Sequence, residues 1–421
     1  MATNEHSVIN EDRLTCCSVP KQVKCCVDLC DSPDGHIHGG FRPDSEWVYR
    51  CLGELTPLLD EQANPDAFMK IYPAKVGNNN ADNGASFSDA YCNVEFYPDA
   101  YPIAQIFQKG LGVLLEYFTD NRKPADEMAA HSLEVLLHFL EKNHFTQQGY
   151  SLENIKGMSE TDITIFLVNH FFGKLSITSK YVIDGRLQSK GKRKENACSC
   201  SKEGCKMTGV FGDTSIGNPE VWHGKVDVLL NYTDTVLKVN HEEQEDDHDD
   251  SPGKTATEVK RRTSSVSDNE EIFAEVIVFS FLQKQLHPYR KHHLYPCIAV
   301  NSKDLFVYLY DSGHDVLLAS SPVSLFDPDM GRFRLATIFL SWLVVNHKCF
   351  SNGLSSKLTS KNAGFFMCKK IDIFEEGLQC GHVVSPVKTA RIYRRVRDRC
   401  EDVEDLNDKR IHLISCKKFK S

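Results

Sequence analysis

The stretch KVDVLLNYTDTVLKVN, residues 225–240, decides the fold class of this 421-residue chain. Its two apolar runs, Lys225 to Leu230 and Thr235 to Asn240, are rich in valine and leucine and flank a short polar turn at residues 232–234. Runs of this kind predict the two strands of a hairpin. A charged residue, Asp227, lies between two valines of the first run. Because an unpaired carboxylate on a buried strand is costly, Asp227 is expected to have a partner or a function.

Helical and strand patterns alternate on both sides of this hairpin. Upstream, Ser159 and Asp162 form a capping pattern ahead of an apolar helical face, and Lys180 to Leu187 is a further strand candidate. Downstream, the run from Ile272 to Leu286 predicts a helix that is apolar nearly all round and therefore central. The remaining predicted elements are three strands and a helix, at Cys297 to Asn301, Leu305 to Asp311, Asp315 to Ser320 and Arg332 to His347.

An N-terminal helical block precedes these elements. Weak helical patterning runs from Trp47 to Ala74, and apolar residues recur at three- and four-residue steps between Ile103 and Leu140. A helix inserted between two groups of strands predicts an α/β fold, in which a mixed central sheet is flanked by helices.

The chain divides into a polar arm and one large domain. Residues 1–45 are rich in Cys, Pro, Asp and Gly and predict a flexible Cys-rich arm, while residues 46–421 predict a single α/β domain with its core at about 159–320. The segment 241–250 contains seven acids, and the polar residues that follow extend this into a mobile acidic insertion at 241–268.

Composition excludes some classes of function. The chain carries 49 basic and 58 acidic residues, a net charge of −9, which argues against a surface that is basic throughout. Without the seven acids of residues 241–250, however, the balance is −9 + 7 = −2. No apolar run approaches the roughly 18 residues of a membrane span, so no membrane partner is expected. The polar N-terminus predicts an intracellular protein, cytoplasmic or nuclear, whose sixteen cysteines are thiols or metal ligands.

A second pair of charged residues lies beyond the hairpin. Glu258 and Lys260 flank Val259, so their side chains point to the same face of an extended segment. Two carboxylates at neighbouring strand ends, such as those of Asp227 and Glu258, can hold Mg²⁺ or Mn²⁺, which prefer oxygen ligands. A lysine beside them can orient an attacking water while the metal offsets charge on a phosphoryl group. This combination predicts hydrolysis of a phosphodiester bond.

On these residues the segment from about 159 to 311 resembles the PD-(D/E)XK nuclease superfamily, whose core is a helix, three strands, a helix and a further strand. The resemblance implies a restriction-endonuclease-like core, with Asp227 and Glu258 as metal ligands and Lys260 assisting the nucleophilic water. It also implies a polar residue that faces the site from the following helix, and Glu275 is the candidate. The implied substrate is a nucleic acid.

The third strand of this core has two interpretations. In the first, TEVK at residues 257–260 is the third strand, the site is complete, and residues 232–254 are an excursion. In the second, the third strand is 235–240. Lys238 then takes the place of the lysine, but Val236 stands where the acid should be, and the site lacks a ligand. This second arrangement predicts a catalytically degenerate relative.

A different chemistry is suggested by the segment ACSCSKEGCK. Cys198, Cys200 and Cys205 supply three of the four ligands of a tetrahedral zinc site, and His223 follows eighteen residues after the last of them. The spacing lacks paired C-x-x-C motifs, so unliganded thiols in a surface loop are the competing interpretation.

The alternative function is a non-enzymatic interaction or scaffold protein. In that case the sheet is a framework, and the acidic insertion and the Cys-rich arm recruit protein partners. The stretch RRTSSVSDNEE, residues 261–271, would make the insertion a phosphorylatable loop.

Overall fold

The protein is described from a computed structural model, which covers residues 45–59, 69–77, 79–145, 155–188, 198–200, 202–230, 235–239, 270–301, 303–381 and 383. The predicted insertion at 241–268 and residues 1–44 of the predicted arm lie outside the described residues. The helices are α1 (Ser45–Leu59), α2 (Ala104–Asp120), α3 (Glu127–Leu140), α4 (Glu160–Leu167), α5 (Gly173–Leu175), α6 (Glu270–Leu286), α7 (Leu335–Val345), α8 (His347–Phe350), α9 (Ser356–Thr359) and α10 (Ile371–Glu376).

The strands fall into two groups along the chain. The first group is β1 (Lys70–Gly77), β2 (Asn93–Phe96), β3 (Tyr101–Pro102), β4 (Tyr181–Asp184), β5 (Val210–Gly212), β6 (Ser215–Gly217), β7 (His223–Lys225), β8 (Val228–Leu230) and β9 (Thr235–Val239). The second group, after α6, is β10 (Leu294–Val300), β11 (Asp304–Asp311), β12 (Val316–Ser320), β13 (Val323–Ser324) and β14 (Gln379–Cys380).

A mixed sheet organises the described part of the chain and contains eleven of these strands. Its main path is β2-β1-β12-β11-β10-β9-β8-β4-β5, while β3 pairs with β1 and β13 with β11. Along this path β9 runs parallel to β10 and β4 parallel to β5, and the other neighbours are antiparallel. The predicted α/β architecture, a mixed central sheet flanked by helices, is confirmed. The predicted hairpin is confirmed as well, since Val228 pairs with Leu237 and Leu230 with Thr235.

Both faces of the central strands β10, β11 and β12 are buried, which explains why these strands are apolar on both sides. On β10, Leu294 and Ile298 contribute to one core cluster, whereas Tyr295, Cys297 and Ala299 contribute to the other. The first cluster also contains the apolar faces of α2, α3, α4 and α7. The second contains α6, in which every residue from Ile272 to Gln283 is buried. The prediction of a central helix at this position is therefore confirmed.

The N-terminal region departs from its predicted pattern. Helix α1 ends at Leu59, and Lys70–Gly77 is a strand rather than the continuation of a helix up to Ala74. The physical reason is a long-range pairing, because Ile71 lies opposite Ser320 and Ala74 opposite Leu317. Strand β1 thus joins the helical block to the sheet.

Along the chain, the main elements around the hairpin are helix α4, strands β4, β8 and β9, helix α6 and strand β10, in that order. The four strands are consecutive neighbours in the sheet. Strands β5, β6 and β7 lie between β4 and β8 in the chain, and β6 and β7 form a small separate sheet with β14. Within the described ranges, none of the helices combines the length and the apolar character that crossing a membrane requires.

Candidate functional site

Lys238 lies at the centre of a cluster of charged side chains on strand β9. On this strand Leu237 packs in the first core cluster and Val236 in the second, so Lys238 shares the face of Val236, the one that α6 covers. Only 12% of the Lys238 side chain is exposed. A buried ammonium requires partners of opposite charge, and three carboxylates surround this one.

The first partner, Asp227, comes from the neighbouring strand. The pairing of Val228 with Leu237, continued by one residue, places Asp227 directly opposite Lys238. The two residues form a cross-strand ion pair, with 3.6 Å between Asp227 Oδ1 and Lys238 Nζ. The backbone carbonyl of Asp227 accepts a hydrogen bond from the Asp184 amide at 2.9 Å, which ties this strand end to β4.

The other two partners, Glu271 and Glu275, come from α6. They are four residues apart and therefore lie on the same face of the helix, the one turned towards β9. Lys238 Nζ donates a hydrogen bond of 3.0 Å to Glu271 Oε1 and lies 3.7 Å from Glu275 Oε1. Glu275 is completely buried, and within the described part of the chain neither of its carboxylate oxygens accepts a hydrogen bond.

The cluster holds more negative than positive charge. With every group ionised, the three carboxylates and the ammonium sum to −3 + 1 = −2. Burial raises the pKa of Glu275 well above its ordinary value, and the nearby Lys238 offsets only part of this effect. Burial alone would lower the pKa of Lys238, but the carboxylates of Glu275, Asp227 and Glu271 hold it above its ordinary value. The lysine therefore stays charged, and Glu275 is the carboxylate of the cluster that takes up a proton most readily.

A divalent cation would suit the charge of this cluster, but the present position of the lysine leaves it no room. A charge of +2 would neutralise the −2 of the ionised groups, and the orphaned oxygens of Glu275 would gain a partner. Asp227 Oδ1 and Glu275 Oε1 both lie against Lys238 Nζ, so they are at most 3.6 + 3.7 = 7.3 Å apart. The ammonium stands between them where a cation would sit. An ion with oxygen ligands at about 2.1 Å requires the lysine side chain to move aside.

The predicted site residues meet different outcomes. Asp227 and Glu275 are brought together on one face of the sheet, within 4 Å of the same ammonium. Glu258 and Lys260 lie outside the described residues. Strand β9 lies between β8 and β10 and pairs with both, which is the position that the second interpretation gives to residues 235–240, while TEVK lies outside the described residues. The lysine of the described cluster is Lys238, and its neighbouring carboxylates are Asp227 on β8's N-terminal side and Glu271 and Glu275 on α6.

A cleft lies beside β7, the strand that ends two residues before Asp227. It has a volume of about 500 Å³, and its lining includes Asp213, Ser215, His223 and Lys225. Lys225 Nζ lies 3.2 Å from Asp184 Oδ1, and the guanidinium of Arg186 contacts the other carboxylate oxygen of Asp184. Two cations therefore share one carboxylate beside the strand end that carries Asp227, and Asp213 adds a second carboxylate to the lining of the cleft, so these four groups sum to +2 − 2 = 0.

The predicted thiol group forms a second cluster, with a different histidine from the one expected. The cluster contains four potential metal-ligand atoms, one each from Cys198, Cys200, Cys205 and His170. All four atoms lie within 4.8 Å of one another. His170 lies in a π-helical turn, Val168–Phe172, that follows α4. His223 is not part of this group; it lies in β7, with its Nδ1 3.0 Å from the carbonyl of Val221. The cluster could bind a metal ion such as zinc.

Burial sets the protonation state of these groups. It lowers the pKa of His170 to about 4, assisted by Lys174 and Lys202, so the imidazole is neutral near pH 7. It raises the pKa of Cys205 to about 12, and the other two thiols of the cluster reinforce the shift. Burial likewise raises the pKa of Cys198, so without a cation the thiols of Cys198 and Cys205 stay protonated.

Comparisons with known proteins give no match. Family models, curated proteins and solved structures were each searched, and none of them matches the chain. Function must therefore be argued from the two clusters.

Proposed function

We propose that this chain is a metal-dependent phosphodiester hydrolase that acts on nucleic acid, with Asp227, Lys238 and Glu275 at its centre. The observation that carries the proposal is the buried lysine, held between a strand aspartate and two glutamates of the helix packed on that strand. The order of the surrounding elements supports it. Helix α4, strands β4, β8 and β9, helix α6 and strand β10 repeat the order of the PD-(D/E)XK core.

In this proposal the acid missing from the third strand is supplied by the helix. Val236 occupies the position two residues before Lys238 where the superfamily has a carboxylate. Glu275 reaches the same lysine from α6, and Glu271 lies one turn before it. The degenerate arrangement expected from Val236 thus regains two carboxylates without any contribution from Glu258.

Each residue then has a distinct task. Asp227 and Glu275 hold Mg²⁺ or Mn²⁺, which when bound offsets the charge that develops on the phosphoryl group. Lys238 remains an ammonium and cannot accept a proton, so it orients the attacking water and donates to a phosphoryl oxygen. Glu271, about a quarter exposed, is the carboxylate placed to receive the proton of that water.

The two clusters call for different ions. The carboxylates are hard oxygen donors that suit Mg²⁺ or Mn²⁺, whereas the thiols of the cysteine cluster suit Zn²⁺. We assign the hydrolytic role to the carboxylate cluster alone. Lys225 and Arg186, which share the carboxylate of Asp184, are the nearby cations that would contact a phosphate backbone.

The experiment is cleavage of single- and double-stranded DNA and RNA by the full-length protein in Mg²⁺ or Mn²⁺. Asp227→Asn, Lys238→Ala and Glu275→Gln should each lower the cleavage rate by about 100-fold or more. Glu116→Gln, an exposed carboxylate of α2, is the control that keeps full activity. Glu258→Gln separates the two interpretations of the core. A rate equal to wild type supports the helix glutamates, and a loss as large as that of Asp227→Asn overturns this assignment.

The position of the Lys238 ammonium between the carboxylates favours a second candidate function. In that case Lys238 permanently replaces the cation, and the protein is a non-enzymatic interaction or scaffold protein. Mn²⁺ binding followed by calorimetry distinguishes the two. Binding by wild type that Glu275→Gln abolishes supports the hydrolase, whereas no binding and no cleavage of any of the four substrates support the scaffold.

A further inference from the structure

We propose that His170, Cys198, Cys200 and Cys205 bind one zinc ion in a closed tetrahedral site that fastens the segment carrying the cysteines to the end of α4. This segment, residues 198–200 and 202–205, is called the cysteine segment below. The proposal does not depend on the hydrolase assignment, because none of its four ligands belongs to the carboxylate cluster.

The distances between the donor atoms suit a tetrahedron. Zn–S bonds of about 2.3 Å and a Zn–N bond of about 2.0 Å require ligand atoms about 3.5 to 3.8 Å apart. His170 Nε2 lies 3.0 Å from Cys198 Sγ and 3.7 Å from Cys205 Sγ, and all four donors lie within 4.8 Å of one another. Adjustments of less than about 1 Å would bring them onto one ion.

The backbone of the cysteine segment already has the shape that the site needs. The amide of Cys198 donates to the carbonyl of Cys205 at 3.4 Å, so the two ends of the segment meet. The Cys205 amide donates to Lys202 at 3.1 Å, and Gly204 adopts a φ of +75°, which closes a tight turn before the last ligand. Three sulfurs therefore converge without help from a metal ion.

Further hydrogen bonds orient the ligands on the helix side. The Asn169 amide nitrogen lies 3.9 Å from Cys205 Sγ and 3.4 Å from the Lys206 carbonyl, while its oxygen accepts from the Tyr181 hydroxyl at 2.7 Å. Ser199 Oγ donates to the Asp162 carbonyl at 2.7 Å. Such contacts around a metal site fix the directions of its ligands. They join three parts of the fold: α4, the cysteine segment and β4, which carries Tyr181.

Four protein ligands leave no position for water or substrate, so this is a structural site rather than a catalytic one. The place of the site in the fold indicates which element it stabilises. Strand β5 follows the cysteine segment after a few residues and pairs with β4 at the end of the sheet. Fastening the segment to α4 holds this outermost strand in place.

The test begins with the zinc content of the full-length protein purified under reducing conditions, measured by inductively coupled plasma mass spectrometry. About one zinc ion per chain is expected for wild type, for His223→Ala and for Cys368→Ser, whose half-buried thiol lies outside the cluster. His170→Ala and Cys200→Ser should weaken zinc binding by at least about 100-fold. Replacement by Co²⁺ should give wild type the intense absorption of tetrahedral cobalt thiolate, and His170→Ala should change it.

A variant that fails to fold does not decide the question, so wild type provides a second readout. Maleimide labelling followed by peptide mapping should show Cys198, Cys200 and Cys205 protected until zinc is removed by a chelator. Folded wild type that contains no zinc and binds no Co²⁺ would overturn the proposal. So would zinc retained at wild-type affinity by His170→Ala, or lost from His223→Ala, or three thiols that react equally fast before and after chelation.

Discussion

Replacing Lys238 with methionine keeps an unbranched side chain as far as the ε-carbon and removes the ammonium group, so it isolates what the charge contributes. Three carboxylate oxygens lie 3.0, 3.6 and 3.7 Å from Nζ. At an effective dielectric constant of about 20, each of these attractions amounts to about 4 to 6 kcal/mol. Desolvation of the ammonium and repulsion among the carboxylates cancel most of the sum. Removing one partner from a buried ion pair leaves a net cost of about 3 to 5 kcal/mol, which we expect for Lys238→Met at pH 7.

The measurement is the free energy of unfolding from urea titration, followed by circular dichroism. Adding Glu275→Gln to Lys238→Met should recover at least about 2 kcal/mol, because it removes the carboxylate that is completely buried. Lys361→Met is the matched control: its partner, Asp99, is more than half exposed, so the cost should be much smaller than that of Lys238→Met. A loss under about 1 kcal/mol for Lys238→Met, or a double variant no more stable than the single one, would refute the account of a buried charge cluster.

Three further predictions concern packing, pH and metal binding. Gly110→Ala should destabilise the protein by about 1 to 3 kcal/mol, because the new Cβ would lie 2.3 Å from Leu343 Cδ2. Gly112 lies in the same helix but faces open space, so Gly112→Ala should stabilise the protein by up to about 1 kcal/mol. Thermal melts measure both effects. Burial holds the pKa of His347 well below its ordinary value, so only the unfolded chain takes up this proton as the pH falls below about 6.5. Wild type should lose about 2 kcal/mol more than His347→Gln between pH 6.5 and pH 5 in urea titrations, and equal losses would contradict this. Asn169→Ala should weaken zinc binding about 10- to 100-fold in a chelator competition, and an unchanged affinity would show that its amide does not support the site.

Much of the fold follows from local sequence patterns. The hairpin of β8 and β9 and the helix α6 lie where periodicity and capping residues predict them, because both signals arise within one element. Strand β1 could not be predicted in this way. Its extended conformation depends on pairing with β12, more than 200 residues later in the chain.

The candidate site was only partly predictable for the same reason. Asp227 and Glu275 stand out as charges within apolar elements, and that signal is local. The TEVK motif has the right spacing, but spacing carries no information on which strand fills the position between β8 and β10. Glu271 could have been found from its four-residue distance to Glu275. His170 could not, since its approach to the cysteines depends on how the cysteine segment folds back on α4.

The position of β1 in the sheet has a practical consequence for work with fragments. Strand β12 is hydrogen-bonded to β11 on one side and to β1 on the other. A fragment limited to residues 159–320 would contain both predicted clusters, yet it would lack β1 and expose the whole outer edge of β12, whose five residues are all buried in the full chain. An apolar, unpaired edge of this kind invites association between copies. Loss of activity or of zinc in such a fragment would then report aggregation rather than chemistry, and a usable fragment has to begin before Lys70.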